Sequence, residues 1–213
     1  MYAPTVFLSF ALVAFAASGA LAAMPVADEW NIGPWVRGRN YSPGMPAHPA
    51  PGPGGSVQFR FPVAGEGQID AMTTTVLPLS GASQVTLRYR IDIAPGTRFI
   101  ADEARDEPAT VSLYLQRRGD NWSARGAYAS YRWYVPPRGV IPLSPGEHNV
   151  TIRFDEAWTN VHGQSNRDDP AGYATALRET SRIGIAFGSA ALRSHGVFAT
   201  GAATFTLLHL GIR

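Results

Sequence analysis

The chain reads as an all-β fold, an antiparallel β-sandwich with one short helix set in a long loop. Three features point there. Short apolar alternations recur between turn signals from Ser56 to the C-terminus, the spacing of a sandwich or barrel. Residues 84–93, QVTLRYRIDI, are a clean period-2 run. Residues 110–136 hold two strand-like runs around a polar turn, a hairpin pattern with a dense aromatic cluster.

The N-terminus reads differently from the rest. Residues 6–22, VFLSFALVAFAASGALA, form an apolar run closing on Ala20, Leu21 and Ala22, the small-x-small pattern of a secretory signal peptide cut before Ala23. With the Ala/Arg-rich, Lys-free composition, that places the mature protein in a bacterial periplasm or outside the cell. No Lys or Arg precedes the run, so an uncleaved membrane anchor stands as the rival reading. Beyond the signal, about 190 residues suit one β domain with a sizeable core.

Residues 23–55 are expected to form an irregular arm, with Trp30 and Trp35 packing their indoles on the body, followed by the Pro/Gly-rich loop SPGMPAHPAPGPGG. The sandwich proper spans 56–213. Residues 57–61 and 68–77 are its first two strands. In 84–93, Val85, Leu87, Tyr89, Ile91 and Ile93 face the core. Residues 97–109 form a charged loop. In the hairpin, Val111, Leu113 and Leu115 alternate with Ser112, Tyr114 and Gln116, and Tyr131, Trp133 and Val135 alternate with Ser130, Arg132 and Tyr134. Residues 140–143 and 147–154 follow as strands, the latter with Val150, Ile152 and Phe154 inward. Residues 155–181 are the longest irregular stretch. Within it, Pro170 after a cap at Asp168 or Asp169 starts a short helix to Thr180, burying Tyr173, Ala176 and Leu177. Residues 182–188 and 203–212 close the set.

Composition removes several chemistries. There are no cysteines, so disulfides, thiolate catalysis and Cys-ligated zinc are excluded. All 18 basic residues are arginine, so lysine Schiff-base chemistry is excluded too. The formal charge of +2, with both signs interspersed, speaks against a nucleic-acid partner. Arginine suits planar anions, which leaves an acidic glycan open. His148, His162, His195 and His209 form neither an i,i+4 pair nor an HExxH run, and no G-x-S-x-G occurs. Asp155 with Glu156 and Asp168 with Asp169 are adjacent and on a strand would point apart. Asp70 and Asp92 could meet in space as a glycosidase pair or serve nearby arginines. A constellation of Tyr131 or Tyr134, His195 and an arginine is the arrangement a polysaccharide lyase would use. None of these requires a cofactor.

The aromatic cluster supplies the candidate ligand surface. Trp122, Tyr128, Tyr134 and Trp158 are the candidate stacking rings, with core filling as the alternative for such large side chains. Asp120, Asn121, Arg132 and Asn160 are the candidate hydrogen-bonding groups, and His195 lies in a glycine-bounded loop that could reach a ligand. If the polar sets of neighbouring strands share one sheet face, Arg88, Arg90, Tyr114, Gln116, Arg132 and Tyr134 make an aromatic, arginine-rich surface. An ordinary solvent face is the other reading.

Two stretches, LYLQRRGDNWSARGAYASYRWY at 113–134 and FGSAALRSHGVFATGAATFTLLHLGI at 187–212, with the run of short strands around them, resemble secreted carbohydrate-binding-module-like jelly rolls of the galactose-binding-domain type. The resemblance covers residue 56 to the C-terminus. It implies a jelly-roll sandwich, sugar recognition by aromatic and polar side chains, and often a structural calcium ion. The expected function is that of an exported, non-catalytic carbohydrate-binding protein recognising a polysaccharide or oligosaccharide. The alternatives are a polysaccharide lyase or glycoside hydrolase working in the same cleft, and a structural envelope protein that binds another protein.

Overall fold

The computed structural model describes residues 24–213; the apolar run read as a signal peptide lies outside them. Sixteen strands and one α-helix follow in chain order. They are β1 (Trp30–Gly33), β2 (Trp35–Val36), β3 (Arg39–Asn40), β4 (Ala50–Pro51), β5 (Val57–Arg60), β6 (Ala71–Thr75), β7 (Gln84–Ile93), β8 (Phe99–Ala101) and β9 (Thr110–Arg117). After these come β10 (Arg132–Tyr134), β11 (Ile141–Pro142), β12 (Gly146–Arg153), β13 (Thr159–Asn160), α1 (Pro170–Glu179), β14 (Thr180–Gly188), β15 (Val197–Ala199) and β16 (Ala203–Ile212). Among the described residues no helix is long and apolar enough to cross a membrane.

Two antiparallel sheets stack on one another. The larger, of seven strands, runs β1-β6-β14-β9-β10-β13, with β11 also on β9; the smaller, of five, runs β12-β7-β16-β5-β4. The alternating strands do as their period demands. Val85, Leu87, Tyr89 and Ile91 of β7 are buried, while Arg88, Arg90 and Asp92 face solvent. Phe59 and Phe205 of the small sheet stack at 5.2 Å, and Phe187 of the large sheet meets both edge-on at 5.6 and 5.4 Å. Those rings join the two sheets, and burying them removes large apolar areas from water.

The helix starts where Pro170 and a capping Asp predict it: Asp169 Oδ1 accepts from the Gly172 amide. Its buried Tyr173 donates to the Phe154 carbonyl and lies against Trp133 and Trp158. The hairpin of β9 and β10 pairs Arg132 with Gln116 and Tyr134 with Tyr114.

Two expectations change. Trp30 lies in β1, which pairs with β6 at an edge of the large sheet, and Ala50–Pro51 pairs with the end of β5, so the arm contributes a strand to each sheet. A short strand with Pro survives there because an edge leaves one side of the ladder free. The charged loop at 97–109 contains β8, which pairs with β15, a nonlocal ladder that its Asp/Glu content conceals.

Candidate functional site

The outward face of the large sheet is not a plain solvent face. From Thr110 to Gln116 every residue of β9 is buried, so both of its faces are covered. Val111, Leu113 and Leu115 enter the sandwich core, whereas Tyr114 joins Ala71, Tyr134 and Ala186 in a second apolar cluster outside the sheet. Trp122 and Val161 pack on that cluster. Gly184 sits opposite Tyr114, and a Cβ at Gly184 would run into the Tyr114 ring. Burial holds the Tyr114 hydroxyl well above the usual phenol range, so it stays neutral.

Above this floor lies a groove of about 1380 Å³. That exceeds the roughly 300–1,000 Å³ of a site for one small molecule, and it suits a segment of a longer chain. Its walls come from segments far apart in sequence: the β2–β3 hairpin with Tyr41 beyond it, the 120–125 loop, β13, and the 190–195 loop. Trp35 is 50 % exposed and Tyr41 is also exposed, and both line the groove.

Backbone strain gathers here. Four non-glycine residues among those described have left-handed backbones, Arg37, Trp122, Ala124 and Ser194, with φ of 52°, 66°, 53° and 62°. All four line this groove. Such conformations cost of order 1–3 kcal/mol each and persist only where surroundings impose them, and they cluster at functional sites.

Asp120 imposes the Trp122 conformation. Its Oδ1 accepts from the Trp122 amide at 3.1 Å, its Oδ2 from Gln116 Nε2 at 2.9 Å, and Arg132 Nη1 is 3.3 Å from the same oxygen. Arg132 in turn donates from Nη2 to the Trp122 carbonyl at 3.2 Å, with its guanidinium carbon 4.2 Å from the indole centroid. The side chains of Arg132 and Asp120 are 4 % and 1 % exposed. Arg132 Nε and Gln116 Oε1 are buried without a hydrogen-bond partner.

Charge is concentrated in the groove. Six arginines, Arg37, Arg39, Arg125, Arg132, Arg182 and Arg193, line it against three carboxylates, Asp70, Glu103 and Asp120. Asp120 is taken by Arg132, and Glu103 contacts His195 Nδ1 at 2.9 Å. Asp70 is pushed up to about 7, chiefly by burial and further by Glu103 and Asp102, against a hydrogen bond from Gln68. The other five arginines have no carboxylate partner among the described residues. Burial lowers the pKa of the Arg193 guanidinium, which donates to the Val135 carbonyl.

Of the residues singled out from sequence, Asp120, Asn121, Trp122, Arg132, Tyr134, Asn160 and His195 line the groove. Two do not. Trp158 is fully buried, stacked on Phe154 and donating its indole N–H to the Arg153 carbonyl, so it is core and cannot stack on a ligand. Tyr128 packs on Tyr131 away from the groove. Asp120 and Asn160, though they line the groove, have their side-chain groups engaged within the protein. Asn160 Oδ1 already accepts from the amides of His162 and Gln164, and its Nδ2 donates to Gln164 Oε1. Arg88 and Arg90 belong to the small sheet and stand apart from Tyr114, Gln116, Arg132 and Tyr134 on the large one. Asp70 and Asp92 are likewise separated, since Asp70 lies beside β6 and Asp92 pairs with Thr204 on β16.

Trp35, Tyr41, Arg37, Arg39, Arg182 and Arg193 were not anticipated. A signal for the first four was present in WVRGRNY at 35–41, where Arg-Gly between short alternating runs marks a tight hairpin. Among the described residues no three His, Asp or Glu side chains gather in a group that could hold a metal ion.

No family model matches the chain, and no curated protein matches it. Several solved structures are similar to it in fold, among them these two. One is a non-crystalline-cellulose-specific carbohydrate-binding module, CBM28, at TM-score 0.43 and 13 % identity, over 91 % of this chain and 95 % of that one. The other is a xylanase from Cellvibrio japonicus in complex with xylopentaose, at TM-score 0.39 and 12 % identity, over 87 % of this chain and 28 % of the xylanase.

Proposed function

We propose that the chain is a non-catalytic glycan-binding protein whose site is the groove on the outer face of the large sheet. The observation that carries this reading is the coincidence there of the four strained non-glycine residues found among the described ones with the exposed aromatics Trp35 and Tyr41 and the half-buried Trp122. Sugar C–H faces stack on such rings, and guanidinium and amide groups meet sugar hydroxyls in planar geometry. The groove's size accommodates several sugar units. Retention of the purified protein on immobilised neutral and acidic polysaccharides tests it: wild type is retained and Trp122→Ala elutes early. A wild type that passes every polymer unretained overturns the reading.

One observation favours a second reading, cleavage of the same glycan. Asp70 lines the groove beside Glu103 and His195 with its carboxyl near 7, where a general acid can work at neutral pH. New reducing ends or unsaturated chain ends, appearing with wild type and absent with Asp70→Asn, would establish it.

A further inference from the structure

Beside the main groove, and sharing Trp35, Trp122 and Arg182 with it, is a recess of about 180 Å³. Its depth is polar. Thr73 and Thr75 of β6 and Gln116 of β9 contribute to it, with Asn31 of the edge strand. The two indoles, from segments nearly ninety positions apart in the chain, both line it.

Arg182 is the one charged residue lining the recess. It is exposed on β14, opposite Thr75 on one side and Gln116 on the other. No carboxylate pairs with it among the described residues. Gln116 is 2 % exposed; its Nε2 is committed to Asp120 while its Oε1 has no partner. A buried amide oxygen left without a donor costs about 1–3 kcal/mol, and a hydroxyl reaching into the recess would satisfy it. The recess therefore combines two indole side chains, an unfilled acceptor and an uncompensated guanidinium, a donor fork whose shape matches an oxyanion.

We propose that this recess is a subsite for a single acidic sugar residue, whose ring oxyanion, carboxylate or sulfate, is seated on Arg182 and one of whose hydroxyls donates to Gln116 Oε1. The proposal rests on the glycan-binding reading of the groove and adds to it the charge class of the ligand. Neighbouring arginines strengthen the preference through the field of the groove, and Arg182 sets where the charge sits. The affinity then falls as salt is raised, because the seat is exposed and screened.

Isothermal titration calorimetry tests it with alginate, polygalacturonate and hyaluronate, the same three polymers after carboxyl reduction, and dextran sulfate beside dextran. Wild type should bind at least one charged polymer about tenfold or more tighter than its neutral counterpart. Arg182→Gln should abolish that difference by weakening the charged form far more than the neutral one. Trp35→Ala should weaken charged and neutral forms alike. Preference for uronates assigns the oxyanion as carboxylate, and preference for dextran sulfate alone assigns it as sulfate. Equal binding of charged and neutral forms overturns the acidic subsite and leaves the groove reading standing. A charge preference that survives in Arg182→Gln overturns the seat. No binding to any polymer overturns both this subsite and the proposed function.

Discussion

The Arg132 guanidinium lies against the Trp122 indole at 4.2 Å and donates to the same residue's carbonyl, so one buried cation fixes both the ring and the backbone of the loop that forms the groove wall. Asp120 completes the arrangement from the other side, holding the Trp122 amide and lying 3.3 Å from Arg132. The site is thus supported from beneath by a charged pair that the ligand does not need to touch.

Trp122→Ala removes a half-buried ring that lines the groove. Affinity for the retained glycan should fall about tenfold or more, while stability changes by only about 1–2 kcal/mol. Calorimetric titration together with thermal melting separates the two effects; an early melt would mean that the ring is structural.

Trp158→Ala should do the opposite. Its fully buried indole packs on Phe154 and Tyr173, and truncation leaves a cavity worth about 3–5 kcal/mol. Denaturant unfolding should show that loss, and the protein that remains folded should bind glycan with wild-type affinity.

Asp120→Ala strands a buried guanidinium, at a cost of about 3–5 kcal/mol, and frees the Trp122 amide. Replacing Arg132 with Met in the same background should recover much of the stability but not the binding, because the ring has lost both supports. A double-mutant cycle by urea unfolding measures the coupling; additive losses would show that the pair is not coupled.

Asp70 sets a pH dependence. Its carboxyl is raised from 3.8 to about 7 in the folded protein. Between those values the native state keeps a proton that the unfolded chain has released, so stability falls as pH rises from about 4 to about 7 and is level beyond. Three pH units correspond to about 4 kcal/mol as an upper bound. Urea midpoints at pH 4.5, 6 and 8 should decline in wild type and stay flatter in Asp70→Asn; an equal decline in both would assign the slope to other groups.

Gly184→Ala should disturb the floor of the groove rather than the sandwich core, since the added methyl meets the Tyr114 ring on the outward face. Overpacking there should cost about 1–3 kcal/mol and lower affinity together with stability, as Tyr114 shifts beneath Trp122. Unchanged binding would mean that the floor tolerates the shift.

Much of the scaffold was legible residue by residue. The period-2 run of β7, the pairing of β9 with β10 across a polar turn, the helix beginning at Pro170 and the closing strand Ala203–Ile212 are all written in local spacing. What spacing cannot carry is whether an outward-pointing side chain meets water or another segment. Trp158, in the long irregular stretch, looked as available as Trp122, yet Trp158 is sealed under α1 by its contact with Tyr173. Trp35 looked like an indole that would tie down an arm, yet it stands half exposed at the rim.

By itself the sequence determined the all-β class, the inward-facing residues of β7 and β9, the capped helix and the absence of cysteine and lysine, because alternation, capping and composition are local or additive properties. Only the tertiary structure decided that Arg182 stands between Thr75 and Gln116, that Arg88 and Arg90 lie on the other sheet, and that Trp35 and Trp122 line one recess. Strand order is set by nonlocal pairing, and the same alternating pattern fits either sheet until every strand has found its neighbour.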